Sequence, residues 1–143
     1  MTLMNTVHRA IIRVSRGKVG WSMAGMIALE LTTVGRKSGE RRSTMLTAPI
    51  RDGEGYVIVA SRGGDDKHPA WYLNLRDNPA VGVVFDGKPS VPMTARIADA
   101  ETRARLWPLV VKKYRNYGGY QEKTTREIPL VILEAVGVAA AGG

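Results

Sequence analysis

From residue 27 onward, glycine-containing turns divide the sequence into strand-length segments, and this spacing restricts the fold more than any other feature. Residues 27–33 alternate in side-chain character with the period of a half-buried strand. A tight turn bracketed by Gly35 and Gly39 follows, and the next strand covers residues 42–50, before a second turn at 52–55. Short turns of this kind join antiparallel strands, so the segments predict a meander of hairpins.

The rest of the chain adds helices to this sheet. Residues 56–61 are nearly all apolar, which predicts a strand near the centre of the sheet. Pro69 fits the first turn of a helix over 70–77, which Asn78-Pro79 ends. The later elements are strands at 81–85 and 91–97 around Asp86-Gly87, a helix from the N-cap Asp99 to 113 with a kink or break at Pro108, and a strand at 128–136.

These elements predict a mainly β fold. About six antiparallel strands with three to four peripheral helices fit a small closed barrel, because closure removes exposed sheet edges. We expect residues 21–136 to form this domain, after an N-terminal basic helix in 1–20 and before a flexible tail in 137–143.

Charge is the second constraint, and it is unevenly spread. The formal net charge is +8, of which the residues before position 43 carry +6. Such a balance predicts an anionic partner: nucleic acid, a membrane surface or an anionic small molecule. The chain has no cysteine and only two histidines, which excludes thiolate metal sites and disulfides and argues against a multi-histidine metal site.

The N-terminal part of this charge lies on a predicted amphipathic helix, residues 3–16. Arg9, Arg13 and Arg16 fall opposite its apolar face, so the helix either packs on the core with a solvated basic face or lies on anionic lipid. The absence of an 18-residue apolar run and of a signal-peptide pattern predicts a cytoplasmic protein.

Four segments could carry chemistry. The 35–42 turn has four basic side chains and a glycine-rich backbone, a combination that binds anions, although solvated basic turns are common. Ser61-Arg62-Gly63-Gly64 would let a flat ligand approach the backbone closely. Residues 68–74 and the tyrosines 114, 117 and 120 are either core anchors or walls of a ligand site. Because no catalytic triad or carboxylate pair stands out, an enzyme of this sequence would depend on a bound cofactor.

Several motifs in the same order resemble the deazaflavin-dependent nitroreductase family, whose members use coenzyme F420. They are Leu-Thr-Thr-Val-Gly-Arg-Lys-Ser-Gly at 31–39, Val-Ala-Ser-Arg-Gly-Gly at 59–64, His-Pro-Ala-Trp-Tyr-Leu-Asn-Leu at 68–75, Tyr-Gly-Gly-Tyr-Gln at 117–121 and Thr-Thr-Arg-Glu-Ile-Pro at 124–129. The resemblance implies a split β-barrel, as in FMN-binding flavoproteins, and hydride transfer from reduced coenzyme F420, an 8-hydroxy-5-deazaflavin.

The resemblance also implies roles for individual residues. The phosphate and oligoglutamate tail of the cofactor would be held by Arg36, Lys37, Ser38 and Arg42. The ring and ribityl chain would be surrounded by Thr44, Met45, Val59, Ala60, Ser61, Arg62, Ala70, Trp71, Tyr72, Leu73 and Asn74. The substrate would face Ser61, Tyr117 and Tyr120, with Ser61 or a tyrosine as hydrogen-bond donor to developing negative charge.

The implied substrate is a hydrophobic conjugated molecule such as an enone, quinone or nitro-aromatic compound. The alternatives are an FMN-dependent split-barrel oxidoreductase and a non-enzymatic basic barrel that binds nucleic acid. Nucleic acid is the weaker partner, because few aromatic side chains accompany the basic cluster. We expect a monomer.

Overall fold

The computed structural model describes residues 26–136, which form one antiparallel sheet of seven strands with helices on its surface. The strands run in the order β2-β1-β5-β6-β7-β4-β3. Their bounds are Ile27–Val34 (β1), Arg41–Ala48 (β2), Ile50–Asp52 (β3), Gly55–Val59 (β4), Ala80–Phe85 (β5), Val91–Ile97 (β6) and Leu130–Ala135 (β7). The α-helices are Ala70–Asp77 (α1), Ala100–Lys113 (α2) and Asn116–Glu122 (α3), and a 3-10 turn covers Arg62–Gly64.

A single residue, Pro49, joins the two ends of this sheet. It separates Ala48, the last residue of β2, from Ile50, the first residue of β3. β2 and β3 are the two outer strands and do not pair with each other. Because one residue spans only about 3.5 Å, the sheet must curl until the end of β2 lies close to the start of β3, although the two strands do not pair. The result is the split barrel that the family resemblance implies, rather than the closed barrel expected from strand spacing alone.

The core has two parts because β4 and β7 are covered on both faces. Ile58 and Val131 face the inside of the curled sheet, together with the buried face of α1. Val57 and Ile132 face the other side, where α2 and α3 pack. Successive strand residues point to opposite faces, so a strand buried on both sides must be apolar throughout.

This explains why the apolar strand is not central. The segment predicted at 56–61 is β4, and it lies second from one end of the sheet. Its apolar character comes from the helices that cover its outer face rather than from a middle position in the sheet.

Local signals predicted the helices well. α1 has the predicted bounds, with Pro69 as its N-cap. The predicted N-cap of α2 is confirmed, since the Asp99 carboxylate accepts a hydrogen bond from the Thr102 N–H at 2.8 Å. We expected a kink or a break at Pro108. The break was wrong, because α2 continues through Pro108 as one helix.

Other expectations need correction. The strand predicted at 42–50 is interrupted by Pro49, which has no N–H for the ladder, and this raises the count from about six strands to seven. The last strand begins at Leu130, two residues later than predicted. Tyr114 is the C-cap of α2, whereas Tyr117 and Tyr120 belong to α3.

The predicted N-terminal helix in 1–20 and the tail in 137–143 lie outside the described residues. Among residues 26–136, no helix has the length and apolar character needed to cross a membrane.

Candidate functional site

A cleft of about 1130 Å³ lies between the β1–β2 turn and the segment that leads into α1. One wall is the turn itself with the first residues of β2, and the other is the 66–71 segment with the inner side of α1. The cleft is therefore built by two separate segments of the chain, 33–44 and 62–74, which the curl of the sheet brings together.

The β1–β2 turn is a compact five-residue structure. The Gly35 N–H donates to the Glu40 carbonyl at 2.7 Å, and the Gly39 N–H donates to the Gly35 carbonyl at 2.8 Å. Gly39 has a φ of 73°, in the left-handed region that favours glycine. A Cβ on Gly35 would come within 2.7 Å of the Ser38 hydroxyl oxygen. Both glycines are thus needed for the turn to close this tightly.

Asn74 fixes this turn to the rest of the cleft. Its side-chain oxygen accepts hydrogen bonds from the backbone N–H and the guanidinium Nη1 of Arg36, both at 3.1 Å. Its amide nitrogen donates to the Thr33 hydroxyl at 3.2 Å. Asn74 is only 5% exposed, so its side-chain amide and its bond to Thr33 are shielded from water. The helix α1, the strand β1 and the basic turn are therefore held in one arrangement.

The electrostatic character of the cleft is strongly positive. Among residues 26–136 one carboxylate lines it, that of Asp66, which accepts a hydrogen bond from the Thr124 hydroxyl at 2.7 Å. The six cationic side chains that line it are Arg36, Lys37, Arg41, Arg42, Arg62 and Lys67. Guanidinium groups and ammonium groups are the usual ligands of phosphate and carboxylate. The donor set therefore fits the phosphate and glutamate carboxylates of the implied cofactor.

The structure places ten of the predicted cofactor-binding residues on this cleft. They are Arg36, Lys37, Ser38, Arg42, Thr44, Arg62, Ala70, Trp71, Leu73 and Asn74. The residues that do not line it are Met45, Val59, Ala60, Ser61, Tyr72, Tyr117 and Tyr120.

Strand alternation explains why some of these residues lie elsewhere. Thr44 lines the cleft, so its neighbour Met45 points to the opposite face, where it packs against Ala28, as Val84 does. Tyr72 is buried in the core inside the sheet. The period of two could have separated Thr44 from Met45 in the sequence.

The three residues expected at the substrate lie behind the cleft, around the 3-10 turn and α3. Ser61 is buried directly before Arg62, which does line the cleft. Gly64 adopts a φ of 87°, and a Cβ there would meet the Tyr120 carbonyl oxygen at 2.7 Å. The turn that follows Ser61 is therefore pressed against the backbone of Tyr120. Tyr117 and Tyr120 contact each other edge to face, with ring centroids 5.9 Å apart.

Tyr117 keeps its proton more firmly than an ordinary tyrosine. Burial raises its pKa, and a hydrogen bond with Thr47 offsets part of the rise. The Tyr117 hydroxyl also contacts the Met26 sulfur at 3.8 Å. At neutral pH the phenol is a hydrogen-bond donor.

Arg126 has a structural role beside the cleft that the sequence did not predict. Its guanidinium donates to the carbonyls of Ala60 (3.2 Å), Ser61 (2.8 Å) and Asp65 (2.7 Å). It thereby holds the segment between β4 and the cleft. The run at 124–129 was a signal for this region, but nothing in it indicated a contact with residues some 60 positions earlier.

Comparison with known proteins identifies the family. The profile of the F420H(2)-dependent quinone reductase family matches residues 4–135. The F420H(2)-dependent quinone reductase Rv1261c of Mycobacterium tuberculosis is 40% identical over 131 residues, 89% of this chain and 87% of the relative.

Solved structures agree. An F420-H2 dependent reductase, FDR-A, is 42% identical with a TM-score of 0.64, covering 75% of this chain and 93% of that chain. A second structure, described as a domain-swapped dimer, is 36% identical with a TM-score of 0.68, covering 92% of this chain and 98% of that chain. These matches confirm the predicted split-barrel fold, the oxidoreductase class and coenzyme F420 as cofactor: the chain belongs to the F420H(2)-dependent quinone reductase family.

Proposed function

We propose that this cleft holds coenzyme F420 and that the enzyme reduces a quinone-type substrate. The observation that carries the proposal is the cationic lining of the cleft, to which the described part of the chain contributes six basic side chains against one carboxylate. Asn74 fixes the Arg36 end of this lining by two hydrogen bonds at 3.1 Å. Because the Arg36 side chain is already ordered, it loses little conformational entropy when it binds an anion.

The residues of the cleft divide into two groups by chemistry. The phosphate and oligoglutamate tail would be held by the turn, through Arg36, Lys37, Ser38 and Arg42, with Arg62 supplying a further charge. The apolar and small side chains of Ala70, Trp71 and Leu73 would form the wall against the ring and ribityl chain, opposite Thr44. When bound there, reduced F420 would supply hydride-transfer chemistry, from C5 of its deazaflavin ring to an electron-poor carbon of the substrate.

The protein's own part in the reaction is orientation and stabilisation of negative charge. We assign Ser61, Tyr117 and Tyr120 to the substrate side. The raised pKa of the Tyr117 hydroxyl keeps it protonated. Hydrogen-bond donors placed where an oxygen of the substrate gains negative charge lower the barrier to hydride transfer. A quinone has such oxygens conjugated to the accepting carbons, and enones and nitro-aromatics share this feature.

The test is a fluorescence titration of the purified protein with coenzyme F420. Replacing Arg36→Ala together with Lys37→Ala removes two charged contacts of about 1.5–3 kcal/mol each, so we expect the affinity to fall at least about 100-fold. The matched control is Arg96→Ala, because Arg96 lies on β6 and pairs with Glu134 on β7, away from the cleft.

The control variant should bind the cofactor as the wild type does. Wild-type protein that shows no binding at micromolar cofactor would refute the proposal. If the double variant bound normally, the cofactor would lie elsewhere on the molecule. Reduction of quinones, enones and nitro-aromatics by the wild type, followed as loss of reduced cofactor, would then rank the substrate classes.

Assembly and location are further parts of the proposal. We propose that the enzyme acts as a monomer in the cytoplasm and that residues 3–16 provide peripheral contact with anionic lipid. The similar protein described as a domain-swapped dimer makes light scattering the deciding measurement for assembly. Sedimentation with anionic vesicles, with and without residues 1–16, tests the lipid contact. If both forms bound the vesicles equally, or neither bound, the lipid contact would be refuted.

A further inference from the structure

His68 stands at the edge of the cleft in a defined hydrogen-bonding arrangement. It lines the cleft beside Pro69 and is only partly exposed. Its ring packs against Tyr72, with centroids 4.7 Å apart. One of its ring nitrogens, Nδ1, lies 3.1 Å from Nη1 of Arg126. The imidazole is thus held on two sides, and its other nitrogen, Nε2, has no partner among residues 26–136.

The contact with Arg126 fixes the position of the imidazole proton. An arginine side chain has donors only and remains charged at any ordinary pH, so Nδ1 of His68 must accept. In the neutral ring the proton then sits on Nε2. Burial lowers the pKa of His68, and the cations Arg126 and Arg76 lower it further, which favours the neutral ring.

Arg126 cannot turn away from His68 without losing other bonds. Its Nε donates to the Asp65 carbonyl, and its Nη2 donates to the Ser61 carbonyl. The Nη1 that contacts His68 also donates to the Ala60 carbonyl. Since all three nitrogens of Arg126 are engaged, the guanidinium is fixed in position and Nδ1 of His68 remains its acceptor.

We propose that His68 is a cofactor-binding residue that donates a hydrogen bond from Nε2–H to an oxygen of the bound F420, and that Arg126 fixes this tautomer. The inference rests on the proposed function, since the cleft must hold the cofactor. Unlike the six cations, His68 contributes a neutral donor. Its bond therefore orients the cofactor and resists salt, whereas the contribution of the exposed cations falls as salt rises.

Two substitutions separate this role from a purely structural one. In His68→Asn the side-chain oxygen can occupy the position of Nδ1 and accept from Arg126, but no donor reaches the position of Nε2. In His68→Gln a donor reaches that position and the nearer acceptor is lost. We expect His68→Asn to bind F420 about 5- to 10-fold more weakly with an unchanged urea midpoint, and His68→Gln to stay within about threefold of the wild type.

The outcomes distinguish a failure of this inference from a failure of the proposed function. Wild-type affinity in His68→Asn, with a lower urea midpoint in His68→Gln, would overturn this inference alone and leave His68 as a partner of Arg126. A wild-type protein that does not bind F420 would overturn the proposed function and this inference with it. The tautomer is measured independently by ¹⁵N chemical shifts of the imidazole, assigned by difference against His68→Asn because His8 is the one other histidine. A proton on Nδ1 would also overturn the inference.

Discussion

The molecule uses basic side chains in two ways, and the β1–β2 turn and the 96–126 region show the contrast. In the turn, Lys37 and Arg41 form no ion pair with any residue of 26–136, and Arg42 contacts Glu40 only at an exposed site. In the later region four arginines are bound by polar partners: Arg96, Arg103, Arg105 and Arg126. Arg103 donates to the Ile128 carbonyl, and Arg126 donates to three carbonyls.

The difference shows that net charge alone does not indicate which basic side chains are available to a ligand. The four arginines of the later region bind carbonyls and carboxylates of other segments of the chain and so stabilise the fold. The turn places its bases in a cleft beside one carboxylate, so they remain available to a ligand. Substituting the bound set should change stability, whereas substituting the free set should change affinity.

The largest expected effect belongs to Arg126. Replacing it, Arg126→Met, leaves the carbonyls of Ala60, Ser61 and Asp65 without this donor, so we expect the free energy of unfolding to fall by about 3 kcal/mol. Urea denaturation measures this change. The matched control is Arg96→Ala, whose exposed pair with Glu134 should contribute less than about 1 kcal/mol.

The next effect concerns Arg41, a cation of the free set. We expect Arg41→Ala to weaken F420 binding by about tenfold with no change in the urea midpoint, because the wild-type side chain has no ion pair within the described chain. The loss should shrink at high salt, where exposed charges are screened. Arg105→Ala, outside the cleft, is the control and should leave affinity unchanged. A lower urea midpoint for Arg41→Ala would contradict the distinction between basic side chains that stabilise the fold and those that bind a ligand.

The smallest effect is a pH dependence at the Asp52–Arg105 pair. The hydrogen bond from Arg105 holds the pKa of the Asp52 carboxyl below its ordinary value of 3.8. A lowered folded-state pKa means that this pair stabilises the protein above about pH 4 and that its contribution is lost as the pH falls through the folded-state pKa. The urea midpoints of wild type and Arg105→Ala should therefore differ at pH 7 and converge towards pH 2. A constant difference would contradict this.

Sequence reasoning succeeded where the signal is local. The Pro69 to Asn78 segment contains both the start and the stop of α1, and Asp99 lies three residues before the N–H that it caps. The Gly35–Gly39 turn likewise contains its own closing hydrogen bonds. Such elements depend on neighbours within a few residues, so the sequence shows them directly.

The rest depended on packing between distant segments. Nothing near Arg36 indicates that Asn74, 38 residues later, will accept its hydrogen bonds. The apolar run in β4 suggested a central strand because sequence cannot distinguish burial by neighbouring strands from burial by helices. The catalytic assignments of Ser61, Tyr117 and Tyr120 and the cofactor assignments stay predictions, and the titrations above test cofactor binding at the basic side chains and His68.

The position of β7 has a consequence for how the chain folds during synthesis. This strand comes last in the sequence, yet it pairs with both β6 and β4 and joins the two halves of the sheet. Until it is available, β4 and β6 each present an unpaired edge, and such edges promote aggregation. A nascent chain that lacks Leu130–Ala135 is thus two separate sheet fragments, and the final strand converts them into one cooperative unit.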